Sequence, residues 1–171
     1  MVQPLIGIER IFVIDTSALI DMKRWYPREA FPELWEKIER MVNDGEIIAP
    51  QEVLYEIERG DDELKEWCKE NAKMFVDVDY QMIEVFNKVR DKYDKKEWEK
   101  HSEEEYWADP WVISLAVSTE IIKDVGKEHP VIVTSENQVK PNKIPTIARE
   151  FGIESINVPQ FMKEILGGGN G

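Results

Sequence analysis

The sequence predicts an α/β domain, a three-layer α/β/α sandwich around a central, mostly parallel sheet. Short apolar segments without period-2 alternation, such as "IFVI" at 11–14 and "VIV" at 131–133, are typical of strands buried on both faces. Segments with helical spacing of apolar residues, such as "PELWEKIERMVNDG", lie between these strands. Because strands that alternate with helices form parallel sheets, the order of the segments predicts the fold class.

The first half of the chain carries three predicted strands and five predicted helices. Thr16 or Ser17 is a natural N-cap for the helix that follows strand one. Gly45 is suited to end the second helix, and Pro32 to begin it. The predicted elements are strand 11–14, helices 18–25 and 32–44, strand 47–49, a helix opened by Pro50, a helix in "DDELKEWCKENA", a strand or connector in "MFVDVD", and a helix in "YQMIEVFNKVRDKY".

The second half begins with a segment of charges and aromatics, residues 94–107, that predicts an exposed loop or a solvated helix. The most apolar helix follows in "ADPWVISLAVSTEIIKDVG", with Gly126 as its stop. The remaining predicted elements are the strand 131–133, a short helix in "IPTIAREFG", a strand in "IESINV" and a helix in "PQFMKEIL".

Composition limits the classes of protein that this chain can belong to. Its 171 residues fit one domain, predicted at 1–166, with a flexible Gly-rich tail at 167–171. The net charge of −13 argues against a simple electrostatic nucleic-acid-binding module. The single cysteine, Cys68, excludes an intramolecular disulfide and a Cys-rich zinc site, and favours a cytoplasmic setting. Neither a signal peptide nor an apolar run of membrane-spanning length is expected.

Carboxylates follow two of the predicted buried strands. Asp15 comes directly after strand one, and Glu136 follows the strand at 131–133. Because ligands of such sheets bind at the carboxyl ends of the strands, we expect both side chains at the same edge. Each residue on its own would be an ordinary turn or capping residue.

Two further acids begin or lie within helices that have apolar neighbours. Asp109 precedes Pro110 at the start of the apolar helix, and Glu56 follows Val53 by about one turn, with Glu52 as the competing acid. Four carboxylates in one pocket repel one another, and the repulsion raises their pKa values or demands cations. Hard oxygen ligands suit Mg²⁺ or Mn²⁺, so the pattern predicts a metal site.

These motifs resemble PIN domains, the Mg²⁺/Mn²⁺-dependent nucleases that include the toxin ribonucleases of toxin–antitoxin pairs. "VIDTSALID" is similar to their opening motif, "IIAPQEVLYEI" to the segment with the second acid, "ADPWVISLA" to the third motif and "VTSEN" to the last. More narrowly, "DMKRWYP", "LWEKIE" and "KIPTIAREFGI" resemble an uncharacterised PIN-like bacterial and archaeal subfamily. The chain departs from the PIN pattern at Glu136, where Asp or Asn is usual, and in a long acidic insert at 77–107.

The resemblance implies a fold, a reaction and a set of site residues. Asp15, Glu56, Asp109 and Glu136 would coordinate Mg²⁺ or Mn²⁺, and Ser17 would orient a ligand carboxylate or a water. The reaction would be endonucleolytic hydrolysis of RNA that leaves a 5′-phosphate and a 3′-hydroxyl. The implied partners are the RNA substrate, an antitoxin protein and a second copy of the chain in a homodimer. Association with a membrane is not expected.

Several readings stay open at the level of sequence. The chain could be an inactive PIN-like interaction or scaffold protein. A haloacid-dehalogenase-like phosphatase also has an Asp after strand one, but normally a second Asp two residues later, where this chain has Ser17. Basic side chains near the first and last motifs could receive phosphates or be ordinary solvated charges: Lys23, Arg24, Arg28, Lys140 and Lys143.

Overall fold

The central feature of the computed structural model is a five-stranded, all-parallel sheet with the strand order β3-β2-β1-β4-β5. The structure describes residues 9–60, 62–122 and 128–167. Its strands are β1 (Glu9–Ile14), β2 (Ile47–Pro50), β3 (Phe75–Val76), β4 (Glu128–Val133) and β5 (Glu154–Ile156). The predicted α/β fold with a mostly parallel sheet is therefore confirmed.

Register in the sheet aligns the ends of two adjacent inner strands, β1 and β4. β1 lies between β2 and β4, with Phe12 paired to both Ile47 and Val131. Ile14, the last residue of β1, pairs with Val133, the last residue of β4. Whatever follows these two strands must therefore emerge at the same place on the sheet edge.

Helices cover the sheet to form the outer layers of the sandwich. The part of the chain that the structure describes contains nine α-helices. They are α1 (Thr16–Trp25), α2 (Pro32–Asn43), α3 (Gln51–Glu58), α4 (Asp62–Glu70), α5 (Tyr80–Arg90), α6 (Lys95–His101), α7 (Asp109–Ile122), α8 (Ile144–Glu150) and α9 (Val158–Gly167), with a 3₁₀ turn at Ala72–Met74.

The core is one continuous apolar cluster between the sheet and the helices. Val13, Ile14 and Ile132 have no solvent exposure, as expected of strands covered on both faces. Phe12 packs edge-on against Phe161 of α9, with ring centroids 4.9 Å apart. Burial on both faces explains why β1 and β4 read as unbroken apolar segments.

The prediction for Gly45 is confirmed, and those for the N-cap of α1 and for Gly167 are corrected. Gly45 ends the α2 turn with φ of +77°, a conformation that favours glycine. The N-cap of α1 is Asp15, not Thr16 or Ser17, because the Asp15 carboxylate accepts a hydrogen bond from the backbone N–H of Ala18. The helix stop predicted at Gly126 lies outside the described residues, and so do residues 168–171 of the predicted tail. Gly167, predicted to begin that tail, is instead the last residue of α9.

The charged segment at 94–107 contains a helix without buried residues, which is one of the two forms predicted for it. It forms α6, and its tryptophans pack on aromatic neighbours instead of lying in solvent. Trp98 and Trp107 have ring centroids 4.9 Å apart, and Trp107 meets the buried ring of Tyr93 at 5.0 Å. Aromatic packing therefore holds this segment against the domain, while its charged residues face outward.

Within the described part of the chain, we find no helix with the length and apolar character that crossing a bilayer requires.

Replacing Ile132 by alanine should test the role of β4 in the core. Because Ile132 is fully buried, the Ile132→Ala variant should lose about 2–5 kcal/mol of unfolding free energy through lost burial and a residual cavity. Val139→Ala, at a side chain that is 79% exposed, should change it by less than about 0.5 kcal/mol. Urea denaturation measures both, and equal effects would contradict the assigned core.

Candidate metal centre

Three carboxylates from distant parts of the chain meet at the carboxyl edge of the sheet. Asp15 follows β1, Asp109 is the first residue of α7, and Glu136 lies in the loop after β4. One oxygen from each carboxylate lies within 4.8 Å of the oxygens from the other two. We call these three residues the carboxylate cluster.

Hydrogen bonds hold the Asp15 carboxylate in one orientation. The Ser17 hydroxyl lies 2.8 Å from both Asp15 oxygens, and the Thr134 hydroxyl donates to Oδ2 at 2.5 Å. The backbone N–H of Ala18 donates to Oδ1 at 2.8 Å. The two hydroxyls come from the segments after β1 and β4, so the parallel pairing of these strands builds the support for Asp15.

Burial makes the charge of Asp15 costly. Asp15 is 2% exposed, and its removal from water raises its pKa from 3.8 to about 7. The hydrogen bonds from Thr134, Ala18 and Ser17 lower that pKa, and the negative charge of Glu136 raises it again. Desolvation outweighs the hydrogen bonds, so without a cation Asp15 tends to keep a proton near neutral pH.

Asp109 also lies among negative charges. Burial raises its pKa well above the usual value, and the negative charges of Glu136, Asp15 and Glu56 raise it further. A side-chain hydrogen bond to Glu136 acts in the same direction, because it favours a protonated Asp109. Without a metal, the carboxylate cluster therefore favours a proton held between Asp109 and Glu136.

Glu56 lies beside the carboxylate cluster and connects its supporting segments. Its Oε1 accepts a 2.5 Å hydrogen bond from the hydroxyl of Thr16, the residue after Asp15. Its Oε2 accepts the backbone N–H of Ala108, the residue before Asp109, at 3.1 Å. Among the described residues, Glu56 is not one of the three whose oxygens lie within 4.8 Å of one another. Its negative charge nevertheless raises the pKa of Asp109.

The competing acid on α3, Glu52, has a different environment. Burial raises its pKa, and the charge of Asp77 raises it further. Its Oε2 is buried without a hydrogen-bond partner among the described residues. The structure therefore places Glu56, and not Glu52, in contact with the segments that carry Asp15 and Asp109.

Glu136 is held by the loop that follows it. The Lys143 ammonium lies 3.3 Å from its Oε2, and the backbone N–H of Ile144 donates to Oε1 at 3.3 Å. Its own backbone N–H donates to the Thr134 hydroxyl at 3.1 Å. Glu136 is thus held in the carboxylate cluster by contacts from its own loop and from the start of α8.

Most of the basic side chains singled out in the sequence are paired with acids. Lys143 is paired with Glu136 in the cluster itself. Three others form ion pairs on the surface of α1 and the loop after it: Lys23 with Glu63 at 3.2 Å, Arg24 with Asp21 at 3.5 Å, and Arg28 with Glu39 at 3.5 Å. Their charges are partly compensated where they stand.

Tyr93 is a neighbour of the cluster that sequence reasoning missed. Its side chain is 5% exposed, and its hydroxyl is buried without a hydrogen-bond partner within the described ranges. Burial raises the pKa of this hydroxyl, and the charges of Asp109, Glu136 and Glu97 raise it further. Tyr93 carried no motif signal, whereas the hydroxyl of Thr134 could have been suspected from its place at the end of a buried strand.

The donor set fits a hard divalent cation. All three members of the carboxylate cluster offer oxygen atoms, the preferred ligands of Mg²⁺ and Mn²⁺. The raised pKa values of Asp15 and Asp109 show negative charge that lacks compensation, and a cation would relieve it. Asp15, Asp109 and Glu136 are therefore the residues that could hold such an ion, with Glu56 beside them.

Fold and site together define an α/β/α protein with a carboxylate cluster at the carboxyl edge of a parallel sheet. The chain belongs to the family described as Domain of unknown function (DUF4411), whose model matches residues 12–165. This match spans all three members of the carboxylate cluster. A search of curated proteins finds no match.

The unfolding free energy of the metal-free protein should decrease as pH rises, and Asp15 should cause part of this decrease. Since its pKa is about 7 in the folded protein and 3.8 as the ordinary value, the folded state binds more protons between these limits. Its contribution to the unfolding free energy is thus lost as pH rises through this window, by up to about 4 kcal/mol.

Urea denaturation in EDTA across that pH range measures the effect. The Asp15→Asn variant should lose less stability than the wild type over the window, with Asp44→Asn, at an exposed position outside the cluster, as the matched control. Parallel profiles for wild type and Asp15→Asn would contradict the raised pKa.

A divalent cation should stabilise the folded protein through the same residues. A free cation concentration of 100 times the dissociation constant adds about 2.7 kcal/mol to the unfolding free energy. Thermal unfolding at neutral pH should therefore shift upward with Mn²⁺, and Asp109→Asn should abolish most of the shift. A shift of the same size in Asp109→Asn would place the bound ion elsewhere.

Proposed function

We propose that this protein is a PIN-like, Mg²⁺- or Mn²⁺-dependent endoribonuclease that hydrolyses RNA phosphodiester bonds. The observation that carries the proposal is the convergence of Asp15, Asp109 and Glu136 within 4.8 Å at the sheet edge. Two supports are independent of one another: the sequence motifs that resemble PIN domains, and the all-parallel α/β architecture in which these acids meet.

The acids and their partners would have separate tasks in this reaction. Asp15, Asp109 and Glu136 would hold the metal, which when bound neutralises charge on the phosphodiester and lowers the pKa of water. Ser17 and Thr134 orient the Asp15 carboxylate through their hydroxyls. Glu56 fixes the segments on both sides through Thr16 and Ala108, which keeps Asp15 and Asp109 in place.

Lys143 and Tyr93 would complete the electrostatics of the site. The Lys143 ammonium, 3.3 Å from Glu136, offsets part of the negative charge that an incoming phosphate would meet. The Tyr93 hydroxyl is a hydrogen-bond donor at neutral pH, and burial and the nearby acids raise its pKa further. Lys143 therefore favours the approach of an anion to an otherwise acidic edge.

The proposal extends to location and partners. A cytoplasmic ribonuclease is consistent with the single buried cysteine, Cys68. If the protein is the toxin of a toxin–antitoxin pair, its net charge of −13 favours an antitoxin with a basic docking segment. A homodimer is the proposed assembly.

The two alternatives lead to different observations. A catalytically inactive interaction protein would bind neither Mn²⁺ nor RNA at the carboxylate cluster. A haloacid-dehalogenase-like phosphatase would need a second Asp at position 17, where the Ser17 hydroxyl instead bonds Asp15. Nothing in the geometry of the site favours this phosphatase over the nuclease.

Incubation with single-stranded RNA and Mn²⁺ tests the proposal. The wild type should cleave the RNA and leave 5′-phosphate ends, and EDTA should stop the reaction. Asp15→Asn should cut at least about 100-fold more slowly, since loss of even an outer-shell partner of a metal costs 10- to 100-fold. Asp44→Asn should cut like the wild type.

Equal cleavage by wild type and Asp15→Asn would assign the activity to a contaminant. No cleavage by the wild type, together with no stabilisation by Mn²⁺, would leave the inactive interaction protein as the function.

A further inference from the structure

An open pocket with aromatic walls includes residues on either side of Asp109 in the chain. Its volume is about 540 Å³, within the range of small-molecule sites. Segments from α5, α6 and the start of α7 form it, and its flat walls are Phe86, Trp98, His101, Trp107, Pro110 and Trp111. We call it the aromatic pocket.

The walls of the aromatic pocket are fixed before any ligand arrives. Phe86 stacks on Trp111, and His101 stacks on Trp107, each pair with ring centroids 4.0 Å apart. Glu97 and Glu104 lie within hydrogen-bond distance of the two nitrogens of His101, at 3.2 and 2.8 Å. A ligand that inserts here does not have to order these rings, which lowers the cost of binding.

The charged groups of the pocket are of both signs and do not favour an ionic ligand. The indole Nε1 of Trp98 is buried and lacks a hydrogen-bond partner among the described residues, so Trp98 contributes to the pocket through its ring. The Arg90 guanidinium lies over the Trp98 ring, 5.4 Å from its centroid, and Lys95 also lines the pocket. Glu99 and Glu104 line it as well, so its charge is mixed and would not select a phosphate alone.

The aromatic pocket and the carboxylate cluster share one chain segment. Asp109 belongs to the cluster, and Trp107 and Pro110, which flank it, belong to the pocket. Two consecutive Cα–Cα steps span at most about 7.6 Å, so the Trp107 backbone lies within that distance of Asp109. A nucleotide whose phosphate meets the cluster could therefore place a neighbouring base in the pocket.

We propose that the aromatic pocket binds one unpaired nucleobase of the RNA, next to the phosphate at the carboxylate cluster. This inference rests on the proposed ribonuclease function and adds a base-binding site to it. Aromatic faces accept any base but require that it be unstacked and unpaired. The pocket thus selects single-stranded over duplex RNA.

The test measures RNA binding in the Asp15→Asn background with EDTA, where neither metal nor cleavage contributes. The probe is a short, fluorescently labelled single-stranded oligoribonucleotide. Trp98→Ala should weaken its binding roughly 5- to 100-fold, the range for loss of one base–aromatic stack. Trp98→Phe should retain most of the affinity because it keeps a ring, and Tyr80→Ala, at a side chain that is 90% exposed outside the pocket, should have no effect.

A second measurement does not depend on the folding of a variant. In the Asp15→Asn protein, an oligomer of the same length without bases, and a fully paired duplex, should each bind more weakly than the single strand. Equal affinities for single-stranded, abasic and duplex RNA would overturn the base-binding site. So would a folded Trp98→Ala protein that binds like Tyr80→Ala.

The outcome separates this inference from the ribonuclease proposal. Wild-type cleavage with Mn²⁺ but no dependence of binding on Trp98 or on bases would overturn the pocket alone. Binding that depends on Trp98 and on bases, without cleavage by the wild type, would support the pocket and overturn the ribonuclease proposal.

Discussion

Repulsion between buried carboxylates is the physical constraint around which this edge of the molecule is built. Asp15, Asp109 and Glu136 share a few ångströms of space, and two of them are largely removed from water. Such a group is stable only with bound protons, with donors aimed at it or with a cation. The protein supplies donors from Ser17 and Thr134 and one ammonium from Lys143, and the raised pKa values show that these do not suffice.

The parallel sheet is what imposes this proximity. Because β1 and β4 pair side by side and end in register, the residues that follow them emerge together. Asp109 then arrives from the start of α7, where the partial positive charge of a helix N-terminus favours a carboxylate. Glu56 bonds to Thr16 and Ala108, and so joins α3 to the segments that carry the other two acids. The cluster is thus held by backbone elements and not by flexible loops alone.

The segment between α5 and α7 packs against the domain through its aromatic residues. Its charges predicted an exposed loop or a solvated helix. Its aromatic rings pack on one another and on the domain, and they line a pocket that includes residues on either side of Asp109. The buried ring of Tyr93 lies against this aromatic group, and its hydroxyl feels the charges of Asp109 and Glu136. The proposed base-binding site and the proposed metal site would then share the chain segment around Asp109.

The sequence by itself determined the fold class and the order of its elements, because apolar strands and helical spacing are local patterns that burial and hydrogen bonding impose on nearby residues. It also indicated four acids, Asp15, Glu56, Asp109 and Glu136, and the structure groups three of them and places Glu56 beside the group. Only the tertiary structure decided that Glu56 bonds to Thr16 and Ala108, that Thr134 holds Asp15 and that Tyr93 lies near the cluster. These contacts join residues far apart along the chain, and no local pattern encodes which distant side chains meet once the sheet is assembled.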